Sequence, residues 1–177
     1  MEYTPDITVM VGLPGSGKST FLSYVDDPEF GDTVFVYSTD NYIESCAKMN
    51  GWTYNEAFKE FIGPATKHMD EMLTLALKQG YSICWDQTNM SAKKRRGILA
   101  KVPKNYRKIC RCIAPPTTPE GWAELQRRLD SRVGKIIPTH VVEAMASTYV
   151  EPELDEGFDY IMVVDLFGNV LAEKGTK

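Results

Sequence analysis

Residues 7–20 read ITVMVGLPGSGKST, and this stretch decides the fold. A short apolar run ends on a loop of the form G-x-x-x-x-G-K-S, with Gly12, Gly17, Lys18 and Ser19 at the fixed positions. A loop of this kind lies between a strand and a helix. Its glycines let the backbone curl so that successive N–H groups point at phosphate oxygens, and the helix that follows adds its positive end. Lys18 is placed to reach the β- and γ-phosphates, and the Ser19 hydroxyl to hold Mg²⁺. The expected nucleotide cradle is Gly12, Pro14, Gly15, Ser16, Gly17, Lys18, Ser19 and Thr20, with ATP or GTP and Mg²⁺ as the cofactors.

Working outward, strand signals fall at residues 7–11, 33–37, 81–85, 108–113 and 160–164, with helical segments between the first four and before the last. Short apolar strands alternating with helices predict an α/β fold, a parallel sheet covered by helices on both faces. Residues 53–79 carry apolar side chains at helical spacing, from Ala57, Phe58, Phe61 and Ile62 on to Ala76 and Leu77. Gly63 and Pro64 are expected to kink or restart that helix, because proline clashes with the preceding turn. Two more helices are predicted near 119–131 and 138–149, joined by a turn at 132–135 that exposes positive charge. Residues 165–171 (DLFGNVL) read as a hairpin that adds a short antiparallel strand at the sheet edge. With no internal repeat or linker, residues 1–177 are expected to form one domain.

Composition narrows the class. A chain of 177 residues can bury about 70% of its unfolded surface in one core. Hydrophobic content of 43% and charged content of 25% are ordinary for a globular protein. No segment approaches the roughly 18 apolar residues of a membrane span, so no membrane partner is expected. The apolar run near the N-terminus leads into the phosphate loop and lacks a basic flank, which makes it a core strand and not a signal peptide; a cytoplasmic location is the expectation. Cys46, Cys84, Cys110 and Cys112 show no C-x-x-C spacing, and they are read as buried reduced thiols ahead of a metal site or disulfide. A net charge of −4 argues against a uniformly basic surface but not against a local basic groove, and basic residues cluster at 93–96, 104–111 and 127–135. The sequence leaves self-association open.

Phosphoryl transfer needs a group to orient and deprotonate the acceptor, a metal environment, and positive charge on the γ-phosphate. Asp40 lies just past the second strand, at the sheet edge that lines the ligand crevice in such folds, which suits a base. Asp40 or Thr39 equally suits a helix N-cap. Asp86 ends the third strand, where a carboxylate organises Mg²⁺ or its waters, or forms a turn. Thr88 and Asn89 are placed to hold an acceptor or to cap the next helix, for which Ser91 is another cap candidate. Arg128 and Arg132, four apart, would share a helix face and offer the γ-phosphate two guanidinium groups in cis; the alternative is a solvated pair.

Taken together, residues 12–19 (GLPGSGKS), 39–42 (TDNY), 86–89 (DQTN) and 124–138 (ELQRRLDSRVGKIIP) resemble, in order, the kinase domain of phage polynucleotide kinase. The resemblance covers nearly the whole chain, and its last segment is the most specific. It implies transfer of the ATP γ-phosphate to a 5′-hydroxyl of DNA or RNA. It implies Asp40 as general base, Lys18 and Ser19 on phosphate and metal, and Arg132, aided by Arg128, clamping the phosphates from a lid. It also implies a strand order of 2-3-1-4-5. The phosphatase domain of the bifunctional members has no counterpart in these residues.

One position departs from the family. Three residues after its aspartate the phage enzyme has an arginine that contacts the phosphate beside the acceptor hydroxyl; here Ile43 stands there, and isoleucine cannot bind phosphate. Either another basic residue such as Arg95 or Arg96 takes that role, or the acceptor is not an ordinary 5′ end. Phage relatives that phosphorylate the hydroxymethyl group of a modified uracil in DNA are similar in build. The expected acceptor side is Asp40, Tyr42, Asp86, Thr88, Asn89 and Arg96, with Tyr42, Trp52 and Tyr54 either stacking on a base or filling the core. The leading expectation is a nucleic-acid acceptor, DNA ahead of RNA. The alternatives are a small-molecule kinase for a nucleoside, sugar or antibiotic, and a slow nucleotide-hydrolysing switch.

Overall fold

Residues 4–22 and 34–176 are described by a computed structural model of the chain. Strand β1 (Asp6–Val11) is the phosphate-loop strand, and it is buried on both faces: Ile7, Val9 and Val11 on one, Met10 on the other. Each such side chain contributes about 1.5–3 kcal/mol by leaving water, which fixes this strand at the centre of the sheet. It pairs in parallel with β3 (Ser82–Trp85) on one side and β4 (Arg107–Ile113) on the other. Strand β2 (Val34–Tyr37) lies outside β3, and β5 (Tyr160–Val164) outside β4, both parallel. The predicted residue 33 at the start of β2 falls outside the described residues.

The hairpin expected after β5 is present. Strand β6 (Val170–Gly175) runs antiparallel to β5 and completes the order β2-β3-β1-β4-β5-β6. The Asp165 carboxylate holds its turn by accepting from the backbone N–H groups of Phe167 and Asn169. The α/β class and the order of the first five strands are as expected.

Helix α1 (Lys18–Leu22) opens from the phosphate loop. Helix α2 (Thr39–Asn50) is capped by Ser38, whose hydroxyl accepts from the Asn41 N–H at 3.4 Å. The cap is therefore neither Asp40 nor Thr39, and the Asp40 side chain is left for other partners. Helix α3 (Tyr54–Lys78) starts with a capping box, in which Thr53 and Glu56 satisfy each other's backbone N–H. It runs unbroken through Pro64, contrary to the expected restart. Gly63 and Pro64 lie on the exposed side of α3, where water can hydrate the carbonyl that the proline ring leaves unbonded.

Helix α4 (Ala92–Leu99), with Ser91 as its cap, follows β3, and α5 (Pro119–Asp130) and α6 (Thr139–Ser147) follow β4. The main core lies along the sheet. A second, smaller cluster, built on Ile43, Ala47, Ala57 and Ala65, joins α2 to α3, its three alanines allowing the two helices to approach closely. Among the described residues no helix is long and apolar enough to cross a membrane.

Candidate active site

The carboxyl ends of the parallel strands open into one cavity of about 1060 Å³. Thr39 and Asp40 follow β2, Asp86 to Thr88 follow β3, Ile113 ends β4, Val164 ends β5 and Asp165 follows it; all of them line it. The phosphate loop forms its floor, from Pro14 to Thr20. This is the crevice that the reversal of strand order on either side of β1 creates.

The loop is shaped by contacts on both sides. Gly12 N–H donates to the Thr88 carbonyl, tying the end of β1 to the β3–α4 connection. Gly15 adopts φ +76°, and a Cβ there would lie 3.0 Å from Leu129 of α5, so both the backbone angle and the packing call for glycine. Lys18 folds over the loop, its Nζ donating to the carbonyls of Gly12 and Leu13 at 2.9 Å each. Burial lowers its pKa to about 8, against the opposing pull of Asp86 and Asp40. The Ser16 hydroxyl is buried with no partner among the described residues.

Across the cavity stands Asp40, with both carboxylate oxygens engaged. Tyr54 donates its hydroxyl to Oδ1, and Lys135 Nζ donates to Oδ2 at 2.6 Å. Burial alone would raise the Asp40 pKa. The hydrogen bonds from Lys135 and Tyr54, with the charges of Lys135 and Arg132, outweigh it and hold the carboxyl below its usual range. Lys135 also reaches Glu44 at 3.2 Å and sits 3.8 Å over the Tyr54 ring. The segment that supplies it is fastened to α3, since Tyr54 N–H donates to the Gly134 carbonyl and the Asn55 amide to that of Ile136.

Asp86 differs from Asp40. Its carboxylate has no hydrogen bond or salt bridge among the described residues, and burial raises its pKa, offset in part by Lys18 and reinforced by the Asp40 charge. Gln87 bridges Trp85 to Thr39, which keeps the Asp86 turn beside the Asp40 turn. A half-buried carboxylate without a hydrogen bond among the described residues, lining the same cavity as the Ser19 hydroxyl, is a donor set suited to a hard divalent cation, so Asp86 and Ser19 fit Mg²⁺. On the donor side, Arg128 spans the phosphate loop and the β5–β6 turn, donating to the Ser16 and Leu166 carbonyls at 3.2 Å each while Glu124 takes its Nε at 2.7 Å.

Several sequence expectations need correction. Helix α5 ends at Asp130, so Arg132 lies beyond the cap and does not share a helix face with Arg128, although both line the cavity. The turn at 132–135 does not simply expose its charge: Lys135 is 7% exposed and turned inward. Asn89 is wholly buried and donates to the Met10 carbonyl at 2.7 Å, bracing the β3–α4 connection at φ +47° instead of facing an acceptor. Tyr42 packs beside His68 and the α2–α3 cluster, and Trp52 against Phe61; neither lines the cavity. Arg96 lies 3.6 Å from Asp155 on the surface, away from the cavity. Arg95 is wholly buried, bidentate to Glu156 at 2.6 and 2.8 Å and bonded to the Asn89 and Met90 carbonyls. Neither arginine stands in for the one that Ile43 replaces.

Sequence reasoning also missed residues. Lys135 as a ligand of Asp40 had no signal beyond its place in a basic turn. Phe58, Lys59 and Lys94 line the cavity from α3 and α4, and nothing in the spacing of the chain pointed to them.

Residues 7–152 match the sequence model of a family described as an AAA domain. The chain belongs to that AAA-domain family. The match takes in the phosphate loop, Asp40, Asp86 and the segment that carries Arg128, Arg132 and Lys135. Solved structures are similar to this AAA domain in fold. One is a chain of the PezAT chromosomal toxin-antitoxin system of Streptococcus pneumoniae, with TM-score 0.64 and 16% identity, covering 97% of this chain and 72% of that one. A second is a chain of the Pnkp1/Rnl/Hen1 RNA repair complex, with TM-score 0.60 and 22% identity, covering 84% of this chain and 45% of that one. A gluconokinase from Sinorhizobium meliloti 1021 aligns with TM-score 0.50 and 14% identity, covering 93% and 85%. At these identities the likeness is one of fold: a phosphate-loop α/β architecture.

Proposed function

We propose that this AAA domain is an ATP-dependent phosphotransferase whose acceptor is a hydroxyl of nucleic acid, either a polynucleotide 5′ end or the hydroxymethyl group of a modified uracil in DNA. The observation that carries the reading is Asp40, an anionic carboxylate facing the phosphate loop across the cavity and held from two sides by Tyr54 and Lys135. A switch that hydrolyses nucleotide has no evident use for a carboxylate braced in this way on the wall opposite the donor.

In the proposed step the acceptor oxygen bonds to the γ-phosphorus, the bond from that phosphorus to the β–γ bridging oxygen breaks, and ADP leaves. The acceptor proton passes to Asp40, whose two hydrogen bonds leave lone pairs free on its oxygens. Tyr54 and Lys135 orient that carboxylate and keep it ionised. Lys18 steadies the β- and γ-phosphates, Arg128 braces the phosphate loop, and Arg132 neutralises charge on the group in flight. Ser19 and Asp86 would hold Mg²⁺, which supplies further neutralisation of the phosphate oxygens.

The nucleic-acid acceptor is supported by the ordered run of motifs shared with polynucleotide kinases and by the fold likeness to a chain of an RNA repair complex. The buried Ile43 removes the phosphate contact at that position, and Arg95 and Arg96, both engaged elsewhere, do not replace it. The test is to offer γ-labelled ATP with 5′-hydroxyl oligonucleotides, with internally hydroxymethylated DNA whose ends are blocked, and with nucleosides and sugars, then digest the polymers to nucleosides and locate the label. Label on a small metabolite alone would replace this reading with that of a small-molecule kinase.

A further inference from the structure

Helix α3 turns two rows of side chains into the cavity beside Asp40. Tyr54, Phe58 and Ile62 recur every four residues and so share a helix face, and Asn55 and Lys59 form the row next to them; all five line the cavity. The first row is apolar apart from the Tyr54 hydroxyl, which Asp40 takes. Phe58 sits 5.9 Å from the Tyr54 ring at an interplanar angle of 40° and keeps 41% of its surface exposed, a large ring facing open space. The Asn55 amide is occupied by the Ile136 carbonyl. A polyhydroxylated acceptor would meet few free hydrogen-bonding groups on this wall.

The cations around the cavity divide into two groups. Arg128 is paired with Glu124, Arg132 lies 3.9 Å from Glu44, and Lys135 is paired with Asp40 and Glu44. Lys59 and Lys94 also line the cavity, yet neither makes a salt bridge or a side-chain hydrogen bond among the described residues. Two lysines without a salt bridge, Lys59 acting on Glu56 only through its charge, line the same cavity as the Phe58 ring and fit a ligand that carries a flat base and a phosphate.

We propose that the α3 wall is the acceptor subsite for a nucleotide unit, with Phe58 stacking on its base and Lys59 and Lys94 contacting its phosphate. This rests on the nucleic-acid reading above and supplies the phosphate contacts that Ile43 cannot. Base stacking on an aromatic ring tolerates any sequence, and phosphate contacts make binding fall with salt.

The experiment measures the KM for the acceptor, kcat and the KM for ATP over a salt series, together with anisotropy of a labelled oligonucleotide in the presence of ADP. Phe58→Ala is expected to raise the acceptor KM about tenfold, with kcat and the KM for ATP unchanged, and Phe58→Trp to keep it near wild type. Lys59→Gln and Lys94→Gln are each expected to flatten the slope of log affinity against log salt by about 0.7, the value for one phosphate contact on a single strand. A nucleoside monophosphate tried as acceptor separates a free nucleotide from a polymer: equal use of the two places a single nucleotide unit in the subsite, and preference for the polymer adds its neighbours. Transfer to nucleic acid with acceptor KM and salt slope unmoved in all the variants overturns the subsite alone. Absence of both transfer and oligonucleotide binding in the wild type overturns the subsite and the function together.

Discussion

Lys135 Nζ lies 2.6 Å from Asp40 Oδ2, across 95 residues of sequence, and the lysine side chain is 7% exposed. The pair joins the segment that carries Arg132 to the carboxylate proposed as base, and Tyr54 fixes the other oxygen of the same carboxylate. Removing the lysine takes away the hydrogen bond and the charge that outweigh burial, so the Asp40 pKa rises. In Lys135→Met the acid limb of the kcat/KM profile is expected to move to higher pH, with turnover at neutral pH falling by about tenfold or more. A profile whose acid limb stays in place would show that Lys135 only packs.

Lys18→Ala, Asp40→Ala and Arg132→Ala are each expected to lower turnover by roughly 10³-fold, the scale of a residue that acts on the transferring group. Single-turnover transfer from labelled ATP measures this. Near-full activity in Asp40→Ala would remove it as the base.

The Lys18 pKa of about 8 makes nucleotide binding sensitive to pH. Triphosphate favours the ammonium form, so binding takes up a proton above about pH 8, and ATP affinity falls there by up to tenfold per pH unit. Calorimetry in buffers of different ionisation enthalpy measures the uptake, and Lys18→Met should abolish it. The stability sign is opposite to that of an ion pair. The folded value lies below the ordinary 10.5, so the ligand-free protein gains stability from this group as pH rises from about 8 towards 10.5.

Arg95 and Arg96 are adjacent in sequence and opposite in consequence. Arg95→Ala leaves Glu156 buried without its partner and is expected to destabilise the fold by about 3–5 kcal/mol in denaturant unfolding. Arg96 faces Asp155 in solvent, and Arg96→Ala should change stability by less than about 0.5 kcal/mol and leave the acceptor KM unmoved.

The fold was legible because its signals are local. The apolar run at 7–11 and the glycine pattern after it specify a strand, a turn and a helix within a few residues, and the later strands repeat the same short apolar signature. Asp40 and Asp86 were legible as strand-end carboxylates. What the sequence hid depends on contacts between distant segments. The charge of Lys135 reads as solvated until the fold brings Asp40 and Glu44 to it. The hydrophilicity of Arg95 gives no warning that Glu156, 61 residues away, draws it into the interior. Asn89 reads as an acceptor ligand because its amide is polar, yet the Met10 carbonyl claims it. Ile43 is legible as a missing phosphate contact, but only the packing of α2 on α3 shows that its position faces the core.

The stretch from Arg128 to Ile136 touches both substrate walls. At one end Arg128 holds the Ser16 carbonyl of the phosphate loop, and at the other Gly134, Lys135 and Ile136 hold Tyr54, Asp40 and Asn55. Under the proposed function, any coupling that this stretch carries between the two walls is mutual by thermodynamic linkage: whatever factor ATP imposes on acceptor affinity, the acceptor imposes on ATP. Nine residues thereby form one continuous tie between the phosphate loop and the Asp40 wall.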